Sequence, residues 1–326
     1  MIREKLLTIF TPAYNRLHTI KRTYESICNQ SSKDVNWLVI DDGSEDGLID
    51  WVKSLGRMVS SKGVSFDWMG TPTGEISENH FIIETDTITI EYVYKPNGGL
   101  YTGYNVAFSV IKTELCVCID SDDFLPDNAV EMIANTWNGF SEIERKQIGG
   151  IAGLDFNVVD KKPIGGVFNT NEKTACVLEL KHKGDCKFVF RTELIRQFAP
   201  QIGFKGEKDF NPHYMQMQLL DDFPLIILND NLCWVEYQYG ADSMSQAIFK
   251  QYVRSPKSYA KYRLLEMELK HANGFLNKLR LNAHYVSACM FAKDKTWFKK
   301  SPQKLITLLS IPIALPLNIY IRYKAK

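Results

Sequence analysis

No sign of charge dominates this chain: across 326 residues, 39 Lys and Arg face 38 Asp and Glu, a formal balance of +1. Without a basic excess to neutralise phosphates, the balance argues against a dedicated nucleic-acid binder. Histidine is scarce, and the six present form neither His-x-His nor His-Glu-x-x-His, which removes the usual zinc ligand sets. Neither a Gly-x-x-x-x-Gly-Lys loop nor a Gly-x-Gly-x-x-Gly fingerprint follows the first apolar run, so P-loop NTPases and nicotinamide enzymes lose support. The seven cysteines are scattered, odd in number and without a Cys-x-x-Cys pair, which fits buried, reduced thiols. The opening stretch is charged and then strand-like, with no leader cleavage signal. Long apolar runs are also missing. The longest uncharged stretch, Leu305 to Ile321, falls short of the roughly 20 residues a spanning helix needs, and Pro312 and Pro316 are expected to break it. An interfacial segment and a tail folded back on the domain both fit that stretch.

What is present is the composition of a folded protein, 45% hydrophobic and 24% charged, long enough for one large α/β domain with or without an appendage. Strand and helix patterns alternate through the first half. Leu6 to Thr11 reads as a strand ending at Pro12, and Leu17, Ile20, Tyr24, Ile27 and Cys28 then recur at helical spacing. Asn36 to Asp41, Ile90 to Tyr94 and Leu115 to Asp120 read as further strands, with Cys116 and Cys118 on one face and Pro126 opening the next helix. Gly56 to Glu84, rich in Gly, Ser and Thr, shows no clean period and reads as an insertion or long loop. Beyond Gly150 the pieces "GGIAGLDF", "VLELKH", "CKFVFRTELI" and "LCWVEYQY" look β-like, and from Pro256 the pattern turns helical. Such alternation predicts a doubly wound, mainly parallel sheet, with ligands collecting beyond the carboxyl ends of its strands. Tyr14, Asp41, Asp42, Asn97, Asp120 and Asp122 all fall at or just after those ends.

Four segments carry the chemistry. In "CIDSDDFLP" an apolar strand delivers Asp120, Ser121, Asp122 and Asp123, and clustered carboxylates repel unless a cation lies between them. Hard oxygen ligands favour Mg²⁺ or Mn²⁺; the plain alternative is a solvated acidic turn before a helix. Asp41 and Asp42 in "VIDDGSEDG" can accept hydrogen bonds from a base or ribose, or simply make an Asp-Gly turn. Tyr14 in "FTPAYNR" can stack on a planar base, or belong to a loop with Asn15 as a helix cap. The glycines of "KPNGGLYTGYN" let backbone approach a ligand closely, or make an ordinary turn.

Taken in this order, "TPAYNR", "DDGS", "NGG" and "DSDD" resemble the nucleotide-sugar half of family-2 glycosyltransferases with the GT-A fold, over roughly the first 130 residues. A weaker likeness to a bacterial surface-polysaccharide subgroup runs through "GDCKFVFRTELI" and "GFKGEKDFNPHY" to "DSMS". The resemblance implies a GT-A, Rossmann-like α/β fold with a mixed, mainly parallel sheet. A glycosyltransferase domain would fill residues 1–240, with its nucleotide-sugar half at 1–130 and its acceptor half at 131–240. A helical extension with an apolar tail would fill 241–326. It implies a donor site of Pro12, Tyr14, Asn15, Arg16, Asp41, Asp42, Asn97, Gly98, Asn105, Asp120 and Ser121, with Asp120 and Asp122 on Mn²⁺ or Mg²⁺. The donor would be a nucleotide diphosphate sugar, UDP-linked by preference, and the acceptor a glycan or lipid-linked glycan. The setting would be cytoplasmic, peripheral on the inner membrane face through the tail. Inversion at the sugar needs a general base. Relatives carry Glu after a Pro in this segment, whereas here His213 stands in that place, with Glu207 and Asp209 as the other candidates. Tyr101 and Thr102 stand where the subgroup often has His and Arg, while Asn105 is kept. The rival reading is a non-catalytic nucleotide-sugar or glycan-binding module, and a nucleotidyltransferase has no basic Gly-rich loop to support it.

Overall fold

A computed structural model describes residues 5–180, 182–236, 247–271 and 274–326. The "DSMS" segment and the end of "LCWVEYQY" lie outside the described residues. The chain divides into two compact units. One comprises Met1–Gly98, Thr102–Gln201 and Met215–Tyr237; the other comprises Gly99–Tyr101, Ile202–Tyr214 and Gln238–Lys326.

The first unit is built on twelve strands: β1 (Leu7–Ala13), β2 (Val35–Asp41), β3 (Arg57–Ser60), β4 (Gly63–Phe66), β5 (Pro72–Ser77), β6 (His80–Glu84), β7 (Thr89–Tyr94), β8 (Leu115–Cys118), β9 (Gly150–Asn157), β10 (Thr174–Ala175), β11 (Cys186–Arg191) and β12 (Leu225–Val235). Ten form one sheet in the order β10-β12-β9-β11-β8-β1-β2-β7-β6-β3, and β4 pairs with β5 separately. The central run β8-β1-β2-β7 is parallel throughout, so the carboxyl ends of four strands share one edge. Antiparallel strands flank it on both sides, giving the mixed, mainly parallel α/β sheet that the alternation of elements implied.

The central strands β1, β2 and β8 are mostly apolar and buried along nearly their whole length because helices cover them. Ile9, Trp37, Val39, Ile90 and Val117 are buried in one core with Ile20 and Ile27 of the helix Leu17–Cys28 and Ile133 and Trp137 of the helix Ala129–Asn138. Tyr24 stacks on Trp37 at 5.6 Å, and Trp51 meets both edge-on.

Several expectations need correction. β1 runs through Pro12 to Ala13, paired to β2, because the β8 ladder ends at Phe10 and an open flank tolerates a residue without N–H. Residues 56–84 are not a loop: β3 and β6 extend the sheet edge, and β4 and β5 make a hairpin. "VLELKH" is not a strand, since Val177–Glu179 forms a short 3₁₀ turn. Pro126 does not open a helix; it lies in the turn before one, its carbonyl accepting from the Ala129 N–H at 3.0 Å.

The second unit is helical, with Ile248–Arg254, Pro256–Glu268, Phe275–Ala292, Trp297–Lys300 and Lys304–Lys324. Pro256 stands in the first turn of its helix, where a missing N–H costs nothing. Pro312 and Pro316 do not break the last helix, which continues through both for 21 residues. All seven cysteines are free, and Cys116, Cys233 and Cys289 are buried.

Candidate active site

At the shared edge, β1 delivers Tyr14, which is 51% exposed and presents its ring to solvent. Pro12 is buried in the strand, and Asn15 adopts a left-handed φ of 53°, which Asn tolerates better than most residues. The loop is laced to the one after β2. The Asn15 N–H donates to Ser44 Oγ at 2.9 Å, the Glu45 N–H to Asn15 Oδ1 at 2.9 Å and the Leu17 N–H to Asp46 Oδ2 at 2.8 Å.

Asp41 and Asp42, both buried, turn their carboxylates into the protein. Asp41 accepts from the Ser44 N–H at 2.6 Å and from the Tyr92 hydroxyl, and burial followed by this carboxylate holds that hydroxyl above its ordinary pKa. Asp42 accepts from the ammonium of Lys95, which is fully buried, and from the Gly98 N–H at 2.9 Å. Asn97 donates to the Asp42 carbonyl at 2.7 Å. A Cβ on Gly43 (φ +85°) would meet the Asn97 nitrogen at 3.0 Å, so the "DDGS" and "NGG" turns fit together only with glycine there. Asn105 is buried and pinned: its amide donates to Met69 O at 2.8 Å and Gln201 O at 3.1 Å, and its Oδ1 accepts from the Gln201 N–H at 2.7 Å.

β8 ends two residues before Asp120, and the following turn is held from below by the polar face of the helix Leu17–Cys28. Arg22 donates to Asp122 O at 2.7 Å, Thr23 to Asp123 O at 2.7 Å, and Ser26 Oγ accepts from the Leu125 N–H at 3.1 Å. Asp120 and Asp122 are half-buried and Ser121 is buried. Burial and then Asp120 push the Asp122 carboxyl above its usual range, while Arg16 and Lys187 pull it back. Hard carboxylate oxygens gathered in one turn, with Asp120 disfavouring charge on Asp122 unless a cation intervenes, are a donor set that fits Mg²⁺ or Mn²⁺.

Beneath this turn lies a cluster that sequence reasoning missed. The Lys187 ammonium on β11 is 3.1 Å from Asp123 and 3.7 Å from Asp155 on β9. Burial would lower its pKa, but Asp155 and its companions outweigh that and raise it. Burial pushes both Asp123 and Asp155 upward, against the pull of the same ammonium. The only signal in sequence is a lone lysine inside the apolar run "CKFVF".

The base candidates lie in the second unit. Glu207 accepts from the backbone N–H groups of Lys257 (3.2 Å) and Ser258 (2.7 Å), capping the helix Pro256–Glu268. Asp209 takes a two-pronged bond from Arg254, both prongs at 2.6 Å, and accepts from Ser255 Oγ at 2.7 Å. His213, half-buried, opens the helix His213–Asp222, its N–H donating to Asn211 Oδ1 at 2.9 Å.

Comparison with known proteins follows the same outline. The sequence model of the family described as "Glycosyl transferase family 2" matches residues 8–67. Hyaluronan synthase of Pasteurella multocida is 28% identical over 130 residues, 40% of this chain and 10% of that protein. This chain thus matches about a tenth of that relative's length. Glycosyltransferase GlyG of Streptococcus pneumoniae serotype 4 is 22% identical over 244 residues, 70% of each chain. The crystal structure of S. aureus TarS 1–349 with UDP-GlcNAc superposes with a TM-score of 0.56 at 14% identity, covering 98% of this chain and 88% of that one. At that identity the likeness establishes the fold.

Proposed function

We propose that this chain, which belongs to the family-2 glycosyltransferases and has their GT-A fold, transfers a sugar from a nucleotide diphosphate sugar to a glycan or lipid-linked glycan, inverting the anomeric centre. The observation that carries the reading is the single sheet edge at which four parallel strands present Tyr14, Asp41 and Asp42, Asn97 and Gly98, and Asp120 and Asp122. In this reading Tyr14 lies against the base, and Asp41 and Asp42 fix the walls of its slot through the bonds they make inward. Asp120 and Asp122 hold Mn²⁺ or Mg²⁺ on the diphosphate, with Ser121 and Asn15 beside it. The metal, when bound, supplies positive charge against the charge that builds on the leaving diphosphate. Arg16, whose charge already acts on Asp122, adds to it. A uridine donor is favoured because the TarS relative is described with UDP-GlcNAc, and a polysaccharide role because a matched relative is a hyaluronan synthase.

His213 is the proposed base that takes the acceptor hydroxyl proton. Glu207 and Asp209 are engaged in capping and pairing, and their loss would unsettle the helix Pro256–Glu268 first. Incubating the protein with Mn²⁺ and a panel of UDP- and GDP-sugars tests the whole reading through nucleotide release. Asp122→Ala should abolish the metal dependence, and His213→Ala should slow turnover by about 10²–10⁴-fold with donor binding intact. Metal-independent donor binding by the unmodified protein would sink the metal assignment. Donor binding without release from any sugar would favour the non-catalytic binding module, which the replacement of Glu by His213 already suggests.

A further inference from the structure

The last helix is built inside out. Along Lys304–Lys324 the buried positions are Thr307, Ser310, Ala314, Asn318 and Ile321, three of them polar. The outward positions are aliphatic or aromatic: Leu305 is 70% exposed, Leu309 53%, Ile319 69% and Tyr323 72%. A surface helix of a water-soluble protein shows the reverse, an apolar stripe inward and polar residues out.

The inward face packs chiefly on the helix Phe275–Ala292, alongside which it runs in the same direction, and the helix Ile248–Arg254 also meets the last helix, with Phe249 edge-on to Tyr320 at 5.6 Å. Thr307 Oγ1 donates to Asn282 Oδ1 at 2.5 Å, Asn318 Nδ2 to Ser287 O at 3.0 Å, and the Arg322 guanidinium sits 4.6 Å from the Phe291 ring centre. This polar seam fixes the rotation of the helix, so the apolar outward face is imposed rather than incidental. The charge around it is one-sided. From Lys293 to Lys326 there are eight Lys and Arg against one acid, Asp294, which pairs with Lys300 at 2.7 Å, and the cations gather beyond the two ends of the uncharged stretch.

We propose that this face is a docking surface for an anionic lipid bilayer, on which the helix lies in the plane of the headgroups. Apolar side chains flanked by cations and by the exposed Tyr320 and Tyr323 match a surface that is oily below and negative above. The helix is long and apolar enough to cross a membrane. Its chemistry opposes crossing. Pro312 and Pro316 are both on the outward side, and each lacks an N–H, leaving the Leu308 and Pro312 carbonyls without their helical donors. On the outward side hydrocarbon offers such carbonyls no donor, whereas water among headgroups satisfies them. The polar seam likewise keeps one side of the helix against protein.

Sedimentation of the full chain with vesicles tests this. The protein should pellet with vesicles of phosphatidylcholine and phosphatidylglycerol, stay in solution with phosphatidylcholine alone, and be released by high salt. Leu309→Glu with Ile313→Glu, both on the exposed face, should abolish pelleting. Lys295→Gln with Lys299→Gln should weaken it by roughly tenfold or more. Circular dichroism should report unchanged helix content in both variants. Equal pelleting with neutral vesicles, or retention that only detergent reverses, would overturn in-plane docking on an anionic surface. A lipid-independent dimer in light scattering, dispersed by the Glu variants, would assign the face to a second copy of the chain instead.

Discussion

Lys187 shows how much depends on single side chains beneath the candidate site. One ammonium lies between two buried carboxylates, and Asp155 Oδ1 has no hydrogen-bond partner among the described residues. Removing one member of a buried pair leaves the others charged without compensation, at a typical cost of about 3–5 kcal/mol. Lys187→Met should therefore lower unfolding free energy by about 3 kcal/mol in denaturant titration, and adding Asp155→Asn should restore part of it. A loss under about 1 kcal/mol for the single variant would show that the pair contributes little. The surface-facing residues of the site were legible because carboxylates, a tyrosine and glycines after apolar runs are turn chemistry at strand ends. Lys187 was not, because its partners are 64 and 32 positions away in sequence and only the sheet brings them together.

At the scale of elements, burial made some strands readable and its lack hid others. β1, β2 and β8 are buried along nearly their whole length and β7 alternates buried with half-buried positions, so each leaves a pattern that sequence reveals directly. β3 and β5 are exposed along most of their length, and the β3–β6 ladder slips between Met58 and Ser60, so no alternation marks them. The helix Phe275–Ala292 carries a different consequence. His284 on it is held down to about 4 by burial and then by Arg263 and Arg280, against an ordinary 6.5. The folded form keeps the imidazole neutral while the unfolded chain protonates it first. Stability is thus full above about pH 6.5 and falls as pH drops toward 4. Thermal unfolding across that window should show His284 costing the chain about 2 kcal/mol, discounted for the partly exposed ring and read as the difference from His284→Gln, since the raised Asp123 and Asp155 act in the opposite sense. His284→Gln should remove most of that slope, and an unchanged slope would refute the assignment.

At the scale of the whole molecule, the two units rest on different physics. The first is held by a sheet whose core draws on residues from Leu7 to Cys233; the second is held by helix pairs with a small core of Met267, Leu281, Ala283, Tyr285, Val286, Cys289 and Ala314. Ala314 belongs to the last helix, and Asn282 and Ser287 each spend a hydrogen bond on it. Deleting residues 304–326 would open that core on one side and take from Asn282 Oδ1 and from the Ser287 carbonyl and hydroxyl the bonds that Thr307 and Asn318 donate, while Asn282 Nδ2 keeps Lys278 O and Gln303 Oε1. Each such loss costs about 1–3 kcal/mol. The small core of the second unit has little stability to spare against several of them. Amide hydrogen exchange reads each unit separately. The truncated chain should lose protection along Phe275–Ala292 while β1, β2, β7 and β8 keep theirs, because no residue of the sheet core is removed. Protection lost in the central strands as well would mean that the sheet depends on the last helix. Protection kept along Phe275–Ala292 would mean that the polar seam stabilises little, and that the outward apolar face is held there by something other than these bonds.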